Sequence, residues 1–232
     1  MPTLKINDLR LQQFLESCER STHPKNTQLI SPGDPADTLY YIVSGSLIVT
    51  LEDEEGQELI LAYLNAGEFL GEMGLFIDQS TRDVLIKTRT EVTLASISHE
   101  KILRFLQLAD RDTTFNLLVA IGTQLSDRLL RTSRKAGLLA FYDVAGRIAR
   151  TLLDLCEQPD AMTHPDGMQI QITRQELGRM VSCSREMAGR ILTSLEEQGL
   201  ITVEGKKTVI VHEARRPSYQ SPKSSAIPGV SD

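Results

Sequence analysis

Two groups of residues in this sequence have types and spacings that could bind a charged ligand. The first is the run Gly67-Glu68-Phe69-Leu70-Gly71-Glu72-Met73-Gly74, with Arg82 ten residues after Glu72. Glycine lets backbone N–H groups approach a phosphate, an arginine guanidinium binds it through two parallel hydrogen bonds, and a carboxylate accepts a ribose hydroxyl. The run therefore favours a phosphate-binding site. Taken alone, its glycines could equally be structural turns, with Glu72 and Arg82 forming an ion pair.

The second group, Thr173 to Leu195, has the spacing of a DNA-binding motif. Thr173 and Glu176 form a capping-box pattern that begins a short helix ending near Val181. Ser184 caps a second helix after a tight turn. A short helix, a turn and a second capped helix are typical of a helix-turn-helix.

One face of the second helix carries side chains that could recognise bases. At roughly 100° per residue, an arc of about 140° holds Arg185, Glu186, Gly189, Arg190 and Thr193. The opposite side holds Ala188, Ile191, Leu192 and Leu195. Arginine binds guanine O6 and N7, and glutamate accepts from cytosine N4. The alternative is a solvated face of ion pairs four residues apart.

Basic residues around this face complete a predicted DNA-binding surface. Arg174, at the start of the first helix, is placed for a phosphate. The runs 200–203 and 208–211 predict a hairpin wing with Lys206 and Lys207 near its tip. The expected DNA-binding residues are therefore Arg174, Arg185, Glu186, Arg190, Lys206 and Lys207.

The elements that would hold the first group are short strands. Apolar runs between about Asn26 and His99 are separated by Gly33, Gly45, Gly56 and Gly67, eleven or twelve residues apart. Glycine supplies the positive φ that tight turns need, so this spacing predicts a small antiparallel barrel.

A long helix from Arg111 to about Leu138 follows a short one over 99–108. Leu118, Ile121, Leu125 and Thr132 form one stripe, interrupted by Arg128, and Leu117, Leu129 and Leu130 form a second. One stripe can face the barrel while the other meets a partner helix, with Leu118, Ile121 and Leu125 as the expected dimer interface. The alternative is a monomer whose helix is packed on both sides.

After the long helix, Leu139 to Tyr142 are expected to form a hinge between the two domains. Asp143, which follows this segment, is expected to cap the next helix.

We therefore expect an α+β protein with four parts: a double-stranded β-helix (jelly-roll) sensor domain (1–109), a dimerisation helix and hinge (110–143), a winged helix-turn-helix (144–214) and a disordered polar tail (215–232). The tail is rich in proline and serine and shows no periodicity.

Composition narrows the classes of function. The net charge is −6, yet residues 1–143 carry 14 Lys/Arg against 20 Asp/Glu while residues 144–216 carry 10 against 10. Any DNA surface must therefore be a local patch in the second part. Cys18, Cys156 and Cys183 are scattered and form no metal-ligand spacing. With no apolar span, no leader and no nucleophile–base pair, we expect a cytoplasmic protein that is not an enzyme and holds no metal.

The chain from about Leu9 to Val211 resembles the catabolite activator (cyclic AMP receptor, CRP/FNR) family. The resemblance is carried by Gly71-Glu72, Arg82, the run 158–167 and Cys183-Ser184-Arg185-Glu186. It implies a cyclic-nucleotide-binding barrel, a homodimer and a winged helix that recognises TGTGA-like half-sites on double-stranded DNA.

The resemblance also implies roles for individual residues. Gly71 and Glu72 would hold the ribose and phosphate edge, and Arg82 the cyclic phosphate. Thr132 and Ser133 on the long helix would meet the base. The loop from Ala161 would contact RNA polymerase through Thr163, His164 and Gly167.

The sequence departs from the cAMP-responsive members at several positions. Asp83 stands where Ser or Thr follows the arginine, Ala62 where serine is usual, Ser182 where glycine is usual, and Lys206-Lys207 where one lysine is usual. A carboxylate beside a cyclic phosphate opposes binding. An acidic residue at position 83, together with Phe76-Ile77 and Thr81-Arg82, resembles the Clp-like branch of the family. The members of that branch are linked to cyclic di-GMP and bind DNA without a ligand.

We therefore expect a regulator that is active without cAMP and weakened by cyclic di-GMP, with Asp83 in the nucleotide site. Three alternatives stay open. The first is an ordinary cAMP-activated activator, the second a regulator with a degenerate sensor, and the third a cyclic-nucleotide-binding enzyme subunit.

Overall fold

The structure, a computed structural model, describes residues 9–78 and 80–215. Apart from Arg215, the predicted tail lies outside these residues. The first part contains helix α1 (Leu9–Glu16) and strands β1 (Glu19–His23), β2 (Gln28–Ile30), β3 (Thr38–Ser44), β4 (Ser46–Glu52), β5 (Glu58–Asn65), β6 (Phe69–Leu70), β7 (Leu85–Thr88) and β8 (Val92–Ser98).

The eight strands form two antiparallel sheets. Their orders are β1-β8-β3-β6 and β2-β7-β4-β5, which is the jelly-roll arrangement, and alternate residues of both sheets fill the core between them. That core contains Ile30, Ile42, Leu47, Leu64, Leu70, Ile86, Val92 and Leu94. The predicted glycine turns are confirmed, since Gly33, Gly45, Gly56 and Gly67 all have positive φ. At Gly45 a Cβ would lie 2.1 Å from the Glu91 carbonyl oxygen, so glycine is required there.

Two helices follow the barrel, α2 (His99–Leu108) and α3 (Arg111–Phe141). The predicted end of α3 near Leu138 is corrected, because α3 continues to Phe141 and the Tyr142 N–H donates to the Leu138 carbonyl. The role of Leu139 to Tyr142 as a hinge stays a prediction. Nothing in that segment breaks a helix, since it contains neither proline nor glycine. The chain turns only at Tyr142 and Asp143, and the Asp143 carboxylate accepts from the Gly146 N–H at 2.8 Å, as predicted.

The face of α3 that packs on the barrel differs from the predicted stripes. Leu117 and Ile121 are buried with Phe14, Leu39, Tyr41 and Phe69 beneath α3. Because Ile121 is 0% exposed within one chain, it cannot contact a partner, and its assignment to the dimer interface is corrected. Residues four apart share a helix face, which places Ile121 with Leu117 on the barrel side.

The second part contains α4 (Val144–Cys156), β9 (Met162–His164), β10 (Gly167–Gln171), α5 (Arg174–Val181), α6 (Arg185–Glu197), β11 (Ile201–Glu204) and β12 (Thr208–His212). Its sheet has the order β11-β12-β10-β9. Three helices against this sheet make a winged helix-turn-helix, so the predicted fold class is confirmed. The core of this part also includes Ile60 and Tyr63 from the barrel.

Among the described residues, all three cysteines are free. The same part of the chain holds no cluster of three His, Cys, Asp or Glu residues suited to a metal ion. No helix that the structure describes has the length and hydropathy to cross a membrane.

Candidate nucleotide and DNA sites

The run predicted to bind phosphate includes strand β6, whose Phe69 backbone is hydrogen-bonded to Gln124 and Arg128 of α3. Arg82 is buried at 8% exposure and donates from Nη2 to the Thr38 carbonyl at 2.6 Å. Gly71 has φ 86°, and a Cβ there would lie 2.8 Å from Arg82 Nη1. A side chain at position 71 would therefore displace the guanidinium, so the glycine is required both for its backbone conformation and for close approach.

Three polar atoms in this site are buried and have no hydrogen-bond partner within the described part of the chain. They are Oε2 of Glu72, whose residue is 2% exposed, Nε of Arg82 and Nε of Arg128. A buried acceptor and a buried donor without partners are costly. A ribose hydroxyl donating to Glu72 and a phosphate oxygen accepting from Arg82 would satisfy the first two, so these residues fit a nucleotide.

Arg128 reaches into the same site from α3. Its Nη1 lies 2.5 Å from Glu72 Oε1, and its Nη2 donates to the Phe69 carbonyl. Gln124, one turn earlier, accepts from the Phe69 N–H at 2.6 Å and donates to the Phe69 carbonyl at 2.8 Å. The sequence showed Arg128 only as an interruption of an apolar stripe. A charged residue within an apolar stripe was the one sign in the sequence that Arg128 has a polar partner on the barrel.

His99 supports the glycine turn from behind. Its Nε2 lies 3.1 Å from the Gly71 carbonyl oxygen, and a Cβ at Gly74 would lie 2.5 Å from its ring. Burial, helped by the nearby Arg82 charge, lowers the pKa of His99. The imidazole is therefore held in its neutral form near neutral pH. Sequence reasoning missed it because His99 only marked the start of a helix.

The other residues predicted for the nucleotide site lie on the surface. Asp83 is exposed although Arg82 beside it is buried, and Thr132 and Ser133 are exposed on α3, just beyond Arg128. The structure thus brings together Gly71, Glu72 and Arg82 within one chain. It leaves Asp83, Thr132 and Ser133 facing solvent.

The DNA-binding motif has the caps that the sequence predicts. Thr173 Oγ1 accepts from the Glu176 N–H and Ser184 Oγ accepts from the Met187 N–H, both at 3.1 Å. The reciprocal half of the capping box is not formed as predicted. The Glu176 carboxylate instead accepts from the Tyr63 hydroxyl of the barrel at 2.5 Å.

The two faces of α6 separate as the helical projection predicts. Ala188, Leu192 and Leu195 are buried, while Arg185, Glu186, Arg190 and Thr193 are exposed. A shallow surface is lined by Arg174, Arg185, Glu186, Gly189, Arg190, Thr193, Ser194 and Glu197. We call these eight residues the reading face.

Arg174 joins the reading face because Gly189 has no side chain. A Cβ at Gly189 would lie 3.3 Å from Arg174 Cδ, and Gly189 is buried. The stem of Arg174 therefore crosses α6 at that glycine. This crossing places a guanidinium from α5 beside those of Arg185 and Arg190.

The wing and the β9–β10 hairpin belong to the sheet of the winged helix, β11-β12-β10-β9, and lie apart from the reading face. Lys206 and Lys207 are exposed between β11 and β12, after Gly205 with φ 66°. His164 pairs with Gly167 across the hairpin, and Thr163 is exposed. At Gly167 a Cβ would lie 2.0 Å from the Val211 carbonyl oxygen, which explains the glycine without reference to a partner.

The turn between α5 and α6 contains the strained residue that the departure from glycine predicts. Ser182 has φ 55° and ψ 61°, a left-handed conformation that costs a non-glycine residue about 1 kcal/mol or more. We expect Ser182→Gly to raise the free energy of unfolding by about 1 kcal/mol, which thermal denaturation will show as a higher Tm. Ser182→Ala is the control and should not raise it. A lower Tm for the glycine variant would contradict this account.

Comparison with known proteins identifies relatives over most of the chain. Residues 20–108 match the cyclic nucleotide-binding domain family, and residues 146–216 match the Crp-like helix-turn-helix domain family. The CRP-like protein Clp of Xanthomonas campestris pv. campestris is 48% identical over 214 residues, which cover 92% of this chain and 93% of Clp. Clp of Xanthomonas axonopodis pv. citri has the same identity and coverage.

Solved structures agree with these matches. A structure described as that of the c-di-GMP responsive global regulator CLP of Xanthomonas campestris superposes with a TM-score of 0.82 at 48% identity, covering 87% of this chain and 98% of that one. A transcriptional regulator of the CRP/FNR family from Thermus thermophilus superposes with a TM-score of 0.69 at 26% identity, covering 83% and 93%. These relatives are regulators rather than enzymes, as the sequence predicts.

Proposed function

This chain belongs to the CRP family of transcription regulators. We propose that it is a homodimer that binds TGTGA-like palindromes without cAMP, and that cyclic di-GMP weakens its binding to DNA. The observation that supports DNA recognition is the reading face, which presents three guanidiniums and the Glu186 carboxylate on one exposed surface. Arg185, Glu186 and Arg190 would contact base edges, since their chemistry matches guanine and cytosine. Arg174, Lys206 and Lys207 would contact phosphates.

Dimerisation through α3 is supported by the apolar side chains left uncovered on it. Phe115, Leu118 and Leu129 are 65%, 40% and 68% exposed. With Gly122 and Leu125 they follow alternating spacings of three and four residues, the pattern of a parallel coiled coil. Gly122 has nothing within 4 Å of a Cβ position, so a second helix could approach closely there. The proposed interface replaces Ile121 by Phe115, Gly122 and Leu129 and keeps Leu118. It also keeps Leu125, which lies at the border because it is only partly buried and packs on the barrel cluster with its other side.

The nucleotide would be held by Glu72 and Arg82 at the turn that begins with Gly71. A cyclic nucleotide supplies a ribose hydroxyl that can donate to Glu72 Oε2 and a phosphate oxygen that can accept from Arg82 Nε. Arg128 neutralises Glu72, and His99 holds the Gly71 carbonyl. Thr132 and Ser133 would contact the base from α3.

The choice of cyclic di-GMP over cAMP depends on Asp83 and is supported by the Clp relative, which is described as c-di-GMP responsive. The Asp83 carboxylate follows Arg82 directly in the sequence. Its negative charge would repel a cyclic phosphate bound by Arg82. Guanine presents more N–H donors than adenine, and a carboxylate can accept them. The complete set of Gly71, Glu72 and Arg82 favours the second candidate, an ordinary cAMP-activated activator.

Replacing Asp83 by serine will separate the two candidates. Because Asp83 is exposed, water screens its charge, so we expect only about a tenfold gain in cAMP affinity and a smaller response to cyclic di-GMP. Calorimetry with both nucleotides measures the change. The control Asp78→Ser removes another exposed carboxylate from the loop before Arg82 and should change neither affinity. Tight cAMP binding by the unmodified protein, with DNA binding that depends on it, would favour the activator.

A binding assay tests the proposed function as a whole. Fluorescence anisotropy should show binding to a TGTGA palindrome at least about 10³-fold tighter than to a shuffled duplex, with no nucleotide added. Cyclic di-GMP should weaken that binding, and cAMP should leave it unchanged. Equal affinity for the two duplexes would contradict the proposal.

The β9–β10 hairpin is the proposed contact for RNA polymerase. This hairpin forms one edge of the winged-helix sheet, away from the reading face on α6, and it carries Thr163, His164 and Gly167. DNA and polymerase would thus bind different surfaces of the same domain.

A further inference from the structure

The winged helix does not stand free of the barrel but packs on strand β5. Ile60 and Tyr63, at 2% and 6% exposure, belong to the same buried cluster as Leu177 of α5 and Leu192 of α6. Two domains that share a buried cluster move together only while the contacts around it hold. The polar contacts at the edge of this cluster therefore decide how firmly the two parts are joined.

Four side chains form a closed network at that edge. The Tyr63 hydroxyl donates to Glu176 Oε1 at 2.5 Å, and the Arg89 guanidinium lies 4.4 Å from the centre of the Tyr63 ring. Arg89 also pairs with Asp160 at 2.7 Å and lies 3.9 Å from Glu176. Tyr63 and Arg89 belong to the barrel, whereas Asp160 and Glu176 belong to the second part of the chain. We call these four residues the latch.

The latch is more than a surface ion pair. The Arg89 side chain is only 14% exposed, and exposed pairs contribute little because water screens them. Burial opposes the charge of Arg89, but the hydrogen bond and charge of Asp160 outweigh it, so the pKa of Arg89 is raised. Removing the guanidinium would leave both carboxylates without this cation, at a greater cost for Glu176, which is 22% exposed, than for Asp160, which is 45% exposed and can be hydrated.

Further contacts hold the same two surfaces together. Arg179 of α5 pairs with Glu58 of β5 at 2.6 Å. Lys135 of α3 donates to the Ile60 carbonyl, and burial lowers the pKa of this lysine to about 8. Strand β5 is thereby joined to both the dimer helix and the first helix of the DNA-binding motif.

The position of Glu176 connects the latch to DNA recognition. Glu176 lies in the first turn of α5, two residues after Arg174, whose stem crosses α6 at Gly189. Holding Glu176 therefore fixes the direction of α5 and, through it, the reading face. The latch residues are separate from the reading face and from Gly71, Glu72 and Arg82, so the latch needs neither DNA nor a nucleotide to form.

We propose that Arg89, through Tyr63, Glu176 and Asp160, positions the winged helix on its own barrel and thereby sets the distance between the two reading faces of the dimer. This inference rests on the proposed DNA-binding function. A palindrome needs both reading faces at the spacing of its half-sites. The latch is the device that makes this spacing independent of cAMP.

The variant Arg89→Gln tests the latch. We expect an affinity for the palindrome about tenfold weaker, with unchanged affinity for a duplex that contains a single half-site. Hydrogen exchange should quicken at amides of α5 and β5 and stay unchanged in the barrel core. A merely destabilised winged helix would lose both kinds of binding, so the ratio of the two affinities isolates positioning.

Two further variants provide a control and an alternative to Arg89→Gln. Arg104→Gln, the control, breaks an exposed pair of 2.6 Å within α2 and should change neither affinity. Tyr63→Phe removes one oxygen, should act in the same direction with a smaller effect, and carries the test if Arg89→Gln fails to fold.

The outcomes separate the latch from the proposed function. If wild-type protein does not distinguish the palindrome from a shuffled duplex, the proposed function fails. If it does, and Arg89→Gln or Tyr63→Phe binds the palindrome as well as or better than wild type with unchanged hydrogen exchange, the latch is overturned.

Discussion

Replacing Arg185 by alanine is expected to remove sequence-specific binding while leaving weak, salt-sensitive binding to any duplex. Arg185 is exposed at the N-terminus of α6, on the reading face. An arginine that binds a guanine through two hydrogen bonds contributes about 1–3 kcal/mol of discrimination at each half-site. The two Arg185 side chains of a dimer would together contribute about 2–6 kcal/mol, or roughly 30- to 10⁴-fold in affinity. Anisotropy titrations with the palindrome and with a shuffled duplex measure that ratio directly.

Lys206→Ala is the matched comparison, because it removes a charge from the wing rather than from the reading face. It should weaken binding to both duplexes about equally and reduce the salt dependence by about one charge. Arg185→Ala should instead change the ratio between them. An unchanged ratio for Arg185→Ala would remove Arg185 from the base-contacting residues.

Leu129→Asp is expected to convert the dimer to monomers and to abolish binding to the palindrome. The Leu129 side chain is 68% exposed in one chain, so the aspartate costs little in the monomer. In a dimer the same charge would be buried against the partner helix without a counter-ion, at a cost of several kcal/mol. Light scattering coupled to gel filtration gives the mass, and the palindrome assay gives the loss of binding.

The control places the same charge on an equally uncovered leucine elsewhere. Leu108 at the end of α2 is 87% exposed and lies outside the proposed seam, so Leu108→Asp should stay dimeric and bind DNA normally. A dimer that persists in Leu129→Asp would contradict dimerisation through this face of α3.

The reading face could be predicted from sequence because its signals are local. The caps at Thr173 and Ser184 and the two faces of α6 depend only on residues within a few turns of each other. The same is true of the barrel glycines, whose positive φ is a property of each turn. Local periodicity could therefore place these elements before any contact between them was known.

The contacts of Glu176 and Arg128 could not be predicted in that way. Glu176 fits a capping box, yet its carboxylate is taken by Tyr63, which lies 113 positions earlier in the sequence. Arg128 pairs with Glu72 at a separation of 56 positions. Only the fold decides which distant group competes for such a side chain, so a local rule gives the helix and misses the partner.

The apolar stripes of α3 show a different limit of prediction from sequence, which concerns the assignment of residues to one face of a helix. In a helix, Ile121 shares a face with Leu117 and with Leu118, and sequence spacing alone does not say which neighbour shares its environment. The barrel resolves this choice by burying Leu117 and Ile121 and leaving Leu118 40% exposed. A helix with two apolar faces needs its docking partner before its free face can be identified.

Strand β5 has a consequence for how this architecture can be recombined. Its residues Ile60 and Tyr63 complete the core of the winged helix, so a winged helix excised at Val144 would expose an apolar surface that the barrel normally covers. A chimera that joins the winged helix of one family member to the barrel of another must carry compatible side chains on β5. The unit of exchange in evolution and in engineering is therefore the winged helix together with the strand on which it rests.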